Sequence, residues 1–243
     1  MRIVGILAAG GSGSRMGLPE GKQLLEIAGK PVVAWSTQAL CDINEMDEVI
    51  VVCDPDRVEE YSSAILTAVS SDTPLSFVGG GETRAESVLA GMCAISEVDE
   101  TEKNPDMEFR DTVIVIHDGA RPLATATMMQ DALNAYKSDE AADGVVVGHP
   151  SSDTLKRVEG TRVIETPDRS QYWAVQTPQI FTLGTLLDAY KYAMDHSLEV
   201  TDDSSLVEAY GKRVVMHLGP RDNIKVTCPE DVAFVEAALL ARA

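Results

Sequence analysis

The sequence predicts an α/β fold organised around a mainly parallel sheet, on three observations. Short β-branched runs alternate with segments of helical period along the chain, and such alternation means crossover connections between parallel strands. A glycine-rich loop follows the first apolar run, and further charged loops follow later strands, at the carboxyl ends where sheets of this kind bind ligands. The 243 residues, 44% of them hydrophobic, suffice for one large domain and are too few for two comfortable ones. With no internal repeat, low-complexity tract or linker, residues 1–243 are expected to form a single domain.

Taken in order, residues 3–7 form a first buried strand, and 48–53, 75–78, 112–117 and 144–148 read as further buried strands. Between them, 58–69, 85–95 and 127–136 have helical periodicity, and in the second of these Val88, Met92 and Ile95 fall at i, i+4 and i+7, one buried stripe. Residues 97–108 set Glu97, Asp99, Glu100, Glu102, Asp106 and Glu108 against Lys103 and read as an exposed, solvated loop. Residues 154–158 and 161–165 are β-rich and flank Glu159-Gly160, a turn signal, so 150–173 reads as a protruding hairpin arm.

Three stretches carry chemistry. In Ala9-Gly10-Gly11-Ser12-Gly13-Ser14-Arg15-Met16-Gly17, followed by Lys22, the glycines let backbone N–H groups approach a polyphosphate, and Arg15 and Lys22 supply positive charge where negative charge builds on a transferring phosphorus. No Lys follows Gly13 as a Walker loop requires, and Gly11, Gly13 and Gly17 miss the dinucleotide spacing by one. In Gly79-Gly80-Gly81-Glu82-Thr83-Arg84-Ala85-Glu86-Ser87, glycines end a strand and open a helix. Free N–H groups there can hold a base or ribose, with Ser87 and Glu82 as side-chain partners, and an ordinary helix start fits the same residues. In His117-Asp118-Gly119-Ala120-Arg121-Pro122, Asp118 stands past a buried strand, where a carboxylate can hold Mg²⁺ against substrate phosphates or pair with Arg121.

Composition narrows the partners. A net charge of −19 argues against nucleic acid and repels a triphosphate, so an enzyme acting on anions must gather its few cations in one cleft and bring a divalent metal. Cys41, Cys53, Cys93 and Cys228 form no C-x-x-C pair, which suits buried thiols in a reducing cytoplasm rather than a metal knuckle or disulfide framework. No signal-peptide pattern and no membrane-length apolar run is present, and a cytoplasmic protein without a membrane partner is expected.

The motifs together are specific. Gly-Gly-x-Gly-x-Arg-Met near the start resembles the signature of nucleotidyltransferases that join a nucleoside triphosphate to a phosphorylated sugar or polyol. Gly80-Gly81-Glu82-Thr83-Arg84, His117-Asp118-Gly119-Ala120-Arg121-Pro122, Asp153-Thr154-Leu155-Lys156, Thr166-Pro167-Asp168-Arg169, Gln176-Thr177-Pro178-Gln179, Thr201-Asp202-Asp203-Ser204 and Asn223-Ile224-Lys225-Val226-Thr227 follow it. Their order resembles that of the 2-C-methyl-D-erythritol 4-phosphate cytidylyltransferase family over nearly the whole chain. The resemblance implies a Rossmann-like nucleotidyltransferase fold with a protruding β-arm, and transfer of a cytidylyl group from CTP to 2-C-methyl-D-erythritol 4-phosphate with release of pyrophosphate, in the non-mevalonate isoprenoid pathway. It implies that Arg15 and Lys22 stabilise the α-phosphate, that Asp118 holds Mg²⁺, and that Arg169 and Lys225 position the acceptor. Ala9, Gly10, Gly11, Gly13, Gly81, Glu82, Ser87 and Gly119 would bind CTP, while Arg121, Thr154, Thr177 and Thr201 would border the acceptor. In the family the arm crosses to a second subunit, so a homodimer is expected.

Departures from the family pattern are Gly10 and Gly119 for Ala, Glu82 for Asp, and Pro19-Glu20-Gly21-Lys22-Gln23 for a shorter Pro-Lys-Gln. The Gly-Gly loop also suits sister enzymes that cytidylylate ribitol 5-phosphate, whereas Ala120, Lys156 and Trp173 resemble the methylerythritol enzyme. A nucleotide-binding regulator on the same fold would need the glycines but not Arg15, Lys22, Asp118 and Lys225 together.

Overall fold

Apolar strands buried on both faces make the centre of the molecule. The computed structural model describes residues 1–10, 22–99, 109–198 and 200–242. Its elements run β1 (Ile3–Ala8), β2 (Glu26–Ile27), β3 (Lys30–Pro31), α1 (Val32–Cys41), β4 (Glu48–Cys53), α2 (Val58–Ala68), β5 (Leu75–Gly79), α3 (Arg84–Asp99), β6 (Val113–Asp118), α4 (Ala126–Ser138) and β7 (Gly144–Pro150). There follow β8 (Arg157–Glu159), β9 (Arg162–Glu165), β10 (Trp173–Thr182), α5 (Leu183–His196), α6 (Asp203–Ala209), β11 (Val214–Leu218) and α7 (Pro229–Arg242).

The seven-stranded sheet has the order β11-β7-β10-β6-β1-β4-β5. Its strands are parallel except β10, which runs antiparallel between β6 and β7. Alternate side chains of one strand serve two layers. Leu7, Val51 and Val115 face a core closed by Tyr61 and Ile65 of α2 and Met129 and Leu133 of α4. Ile6, Val52 and Ile116 face Val88, Met92 and Ile95 of α3, Leu186 and Tyr190 of α5, and Leu206 of α6. The stripe expected on α3 is therefore buried as read. A third, smaller core joins Ile27, Val32, Leu123 and Val226 to Val235 and Leu239 of α7.

Caps set the helix starts. Thr125 accepts from Met128 N at α4, and Asp202 forms a reciprocal capping box with Ser205 at α6. The strands and helices that the sequence reading names match to within a few residues at each end, with three differences, while α1, β10, α5, α6, β11 and α7 are not among them. Asp118 closes β6 rather than following it. Residues 97–99, read as loop, continue α3, and the rest of that acidic stretch up to 108 lies outside the described residues. The 150–173 hairpin exists as the separate two-stranded pair β8-β9, but it is shorter than expected: Thr154 precedes its first strand, and the turn falls at Gly160 and Thr161. Gly160 has φ +59°, a conformation that favours glycine and draws the turn one residue later.

Candidate active site

The site begins where β5 ends. Gly80 N–H donates to the Cys53 carbonyl at 2.7 Å, and a Cβ on Gly80 would stand 2.6 Å from Ser87 Oγ, so only glycine lets α3 close onto this turn. Thr83 and Glu86 then cap each other: Glu86 N–H donates to Thr83 Oγ1 at 3.1 Å, and Thr83 N–H to Glu86 Oε2 at 2.9 Å. This box fixes Arg84 as the first helical residue. Ser87, expected as a nucleotide partner, lines the cleft but donates its hydroxyl to the Thr83 carbonyl at 3.0 Å.

The end of β6 is tied down from several sides. Gly119 N–H donates to the Ala8 carbonyl, and Ser36 Oγ donates to the Gly119 carbonyl at 3.0 Å. Asp118 N–H donates to Thr177 Oγ1 at 3.1 Å, and the same oxygen lies 2.8 Å from His117 Nδ1. His117 is fully buried, and burial pushes its pKa down to about 3, so the ring is neutral. The fully buried Asn223 donates to the Thr177 carbonyl at 3.0 Å and accepts at its own carbonyl from Arg121 Nη1 at 2.7 Å. Three residues on, Val226 N–H donates to the Ala120 carbonyl, and this bond delivers Lys225 to the site.

These constraints converge on Asp118. Its carboxylate meets Arg84 Nε at 3.2 Å on Oδ1, and Lys225 Nζ at 2.8 Å and Arg121 Nε at 3.5 Å on Oδ2. Burial alone would raise its pKa, but Arg84, Lys225 and Arg121 outweigh burial and hold it well below the usual carboxylate range. Asp118 is ionised throughout the physiological range.

Two clefts share this cluster as their common wall. One is bounded by Ala8, Gly10, Lys22, Gln23, Gly81, Glu82, Thr83 and Ser87, the other by Arg121, Gln176, Thr177, Gln179, Thr201, Asp202 and Glu208, and both by Arg84, Asp118 and Lys225. The structure thus brings Gly10, Lys22, Gly81, Glu82 and Ser87 together on one side and Arg121, Thr177 and Thr201 on the other. Ala9 and Gly119 pack on each other beside Gln23 without lining either cleft: a Cβ on Gly119 would meet Ala9 Cβ at 3.2 Å and Gln23 Oε1 at 3.0 Å. Thr154 and Arg169 line neither cleft, and Arg169 donates from Nη1 to the Ser152 carbonyl at 2.6 Å. Arg15, Gly11 and Gly13 lie outside the described residues.

The clefts differ in charge. Lys22, Arg84 and Lys225 face Glu82 and Asp118 in the first, a positive excess within an acidic protein. In the second, Arg84, Arg121 and Lys225 are balanced by Asp118, Asp202 and Glu208. Four residues that shape the site stand in the quoted motifs but are given no role by the sequence reading: Arg84, Asp203, Asn223 and Gln23, the last buried with Oε1 lacking a hydrogen-bond partner among the described residues. Only Arg84 had a local signal, the Thr83-x-x-Glu86 capping pattern.

Among the described residues no three His, Cys, Asp or Glu side chains group as a metal site. Mg²⁺ needs only one or two carboxylates besides phosphates and water, and the ionised Asp118 between the clefts is a group of that kind, met here by Arg84 on Oδ1 and by Lys225 and Arg121 on Oδ2.

A sequence model described as 2-C-methyl-D-erythritol 4-phosphate cytidylyltransferase matches residues 3–241. The proteins of that name from Caldanaerobacter subterraneus and Parasynechococcus marenigrum are 38% and 39% identical over 240 residues, 98% of this chain and 99% and 97% of theirs. The crystal structure of 4-diphosphocytidyl-2C-methyl-D-erythritol synthase from Anaerococcus prevotii is similar with a TM-score of 0.80 at 28% identity, covering 98% of both chains. The Thermus thermophilus 2-C-methyl-D-erythritol 4-phosphate cytidylyltransferase gives 0.72 at 27%, over the whole of each chain.

Proposed function

This chain belongs to the 2-C-methyl-D-erythritol 4-phosphate cytidylyltransferase family, and from that premise we propose how its residues divide the work. The enzyme transfers a cytidylyl group from CTP to 2-C-methyl-D-erythritol 4-phosphate, giving 4-diphosphocytidyl-2-C-methyl-D-erythritol and pyrophosphate in non-mevalonate isoprenoid synthesis. The observation that carries the division is the pair of clefts meeting at Arg84, Asp118 and Lys225.

CTP occupies the positive cleft, against Gly10, Gly81, Glu82 and Ser87, with Gly11 and Gly13 assigned to it by the family resemblance and Ala9 and Gly119 packed on each other beside Gln23, which lines it. A phosphate oxygen of the acceptor, in the second cleft beside Arg121, Thr177 and Thr201, attacks the α-phosphorus. A new P–O bond forms as the bond to the bridging oxygen breaks, and that electron pair leaves on pyrophosphate. The nucleophile is already an anion, so positioning and neutralisation of charge do most of the catalysis. Lys22 and Arg15 stabilise the charge on the α-phosphate, and Lys225 aligns the acceptor phosphate. Asp118 would hold Mg²⁺, which when bound draws charge from the triphosphate oxygens.

Among the described residues, the acceptor cleft formed by one chain has no excess positive charge, yet its ligand is an anion. Arg169 of the 150–173 arm makes up this deficit in a partner subunit, with Thr154 adding a neutral hydrogen-bonding group, and the enzyme is a homodimer on this reading. Support comes from the arm itself: Val158 and Val163 are 49% and 53% exposed on a two-stranded ribbon, and Tyr172, just before β10, is 45% exposed; such ribbons need packing to be stable. That Cys41, Cys53, Cys93 and Cys228 form no disulfide among the described residues supports a cytoplasmic location; no described helix is long and apolar enough to cross a membrane. The direct assay is pyrophosphate release from CTP with each acceptor. The reading requires release with methylerythritol phosphate and not with ribitol 5-phosphate, and CTP binding without release under either condition would contradict it.

A further inference from the structure

Arg84 holds two carboxylates that belong to different parts of the site. Its Nε meets Asp118 Oδ1 at 3.2 Å, and its Nη1 meets Asp203 Oδ2 at 2.5 Å, on a residue 119 positions away at the start of α6. The other oxygen of Asp203 accepts from Tyr190 Oη at 2.7 Å. Asp203 is 1% exposed, and Arg84 and Tyr190 give both oxygens of this buried carboxyl group a partner. Burial, together with the Asp203 carboxylate, pushes the Tyr190 phenol up, so it remains a hydrogen-bond donor. The chain Tyr190–Asp203–Arg84–Asp118 thus runs from α5 through the acceptor-side helix α6 to the wall shared by both clefts. Arg84 also begins α3 immediately after the loop that lines the CTP cleft, and its side chain is 26% exposed, open to both clefts rather than sealed in the core.

We propose that Arg84 is a positioning residue for the transfer: its planar fork, anchored by Asp203 and Tyr190, fixes the orientation of Asp118 and holds the CTP loop in register with the acceptor-side Thr201 segment. The proposal rests on the reading of Asp118 as the wall between the substrate clefts. A Lys keeps the charge but presents no rigid fork that could bridge two carboxylates. The mispositioned state therefore still binds CTP but reacts slowly.

The test is a double-mutant cycle on the intact enzyme, reading kcat, KM for each substrate, thermal midpoint and calorimetric CTP binding without acceptor. Arg84→Lys and Asp203→Asn are each expected to lower kcat about 10-fold with KM for CTP and CTP affinity changed by less than about 2-fold, the signature of lost alignment rather than lost binding. Tyr190→Phe should act in the same direction by about 3-fold. The Arg84→Lys/Asp203→Asn double variant should be about as slow as the worse single, because the two act through one contact. Single effects that multiply to about 100-fold in the double variant would overturn the proposal. So would a kcat per folded molecule equal to wild type with only the thermal midpoint lowered. If Asp203→Asn fails to fold, Arg84→Lys with Tyr190→Phe completes the same cycle. Asp118→Asn, measured in parallel, separates the two ideas: wild-type behaviour there removes the shared-wall reading itself, whereas a slowed Asp118→Asn beside an unaffected Arg84→Lys removes only the role of Arg84.

Discussion

The end of β6 and the 150–173 arm hold their functional charges in opposite ways. Asp118 is 6% exposed, and its charge is matched by Arg84 at the start of α3, by Arg121, tied to the Asn223 carbonyl, and by Lys225, placed by the Val226–Ala120 bond. Arg169 is exposed and spends one guanidinium nitrogen on the Ser152 carbonyl of its own arm. A buried cluster can be preorganised by one chain, because removing any member leaves a charge without compensation. An exposed arm cannot be so organised, and its contribution depends on what it docks against. The difference teaches where a single chain suffices and where the proposed dimer would have to supply the rest.

The sharpest way to break the comparison is at the cations assigned to the reacting phosphate. Lys22→Ala and Arg15→Ala should each lower kcat by on the order of 10²-fold or more, as loss of a donor to transition-state charge does, with a smaller effect on CTP affinity. A near-normal kcat in either variant would remove that residue from the reacting phosphate. On the arm, Arg169→Lys should raise KM for the acceptor by about 10-fold and leave KM for CTP nearly unchanged, since a Lys cannot grip a phosphate with two parallel bonds. Equal changes in both KM values would argue that the arm serves general folding. Asp118→Asn should raise the Mg²⁺ concentration for half-maximal rate by several-fold with selectivity for CTP retained. A magnesium titration that does not move would reduce Asp118 to the counter-charge of its three cations.

The smallest effect is one of pH. Buried and neutral, His117 has a pKa of about 3, against about 6.5 in an unfolded chain. Between those values the unfolded state binds the extra proton, so this contribution to stability is complete above about pH 6.5 and is lost as the pH falls toward 3. It adds up to about 1.4 kcal/mol per pH unit in that window. Denaturant titrations at pH 4 to 7 should show that slope in the wild type and a shallower one in His117→Gln, and identical slopes would place the pH dependence elsewhere.

Much of this architecture can be read directly from residue patterns. The β4 and α3 patterns are strong because a strand buried on both faces and a helix buried along one stripe leave distinct periods. The glycine loop and Asp118 are legible because phosphate chemistry restricts what can stand after a strand. The antiparallel entry of β10 between β6 and β7 is not, since strand direction and order are decided by packing partners far away in sequence. The same holds for the grip of Arg84 on Asp203 across 119 residues, and for Asn223, whose side chain ties Thr177 while its carbonyl ties Arg121. Thr154 shows the limit at short range: β-rich composition placed it in a strand, but the turn at Gly160 sets the register and leaves it in the preceding loop.

Subunit mixing tests the composite site most directly. Lys22→Ala enzyme carries an intact arm and a defective cleft, and Arg169→Ala enzyme carries the reverse. After exchange of equal amounts, half the dimers are mixed, and each mixed dimer holds one site with both residues intact if the arm crosses over. Activity should then return to about a quarter of the wild-type value, the share expected for random pairing in a twofold dimer. No recovery, with exchange verified by differently tagged subunits, would place Arg169 in the cleft of its own chain and contradict the account.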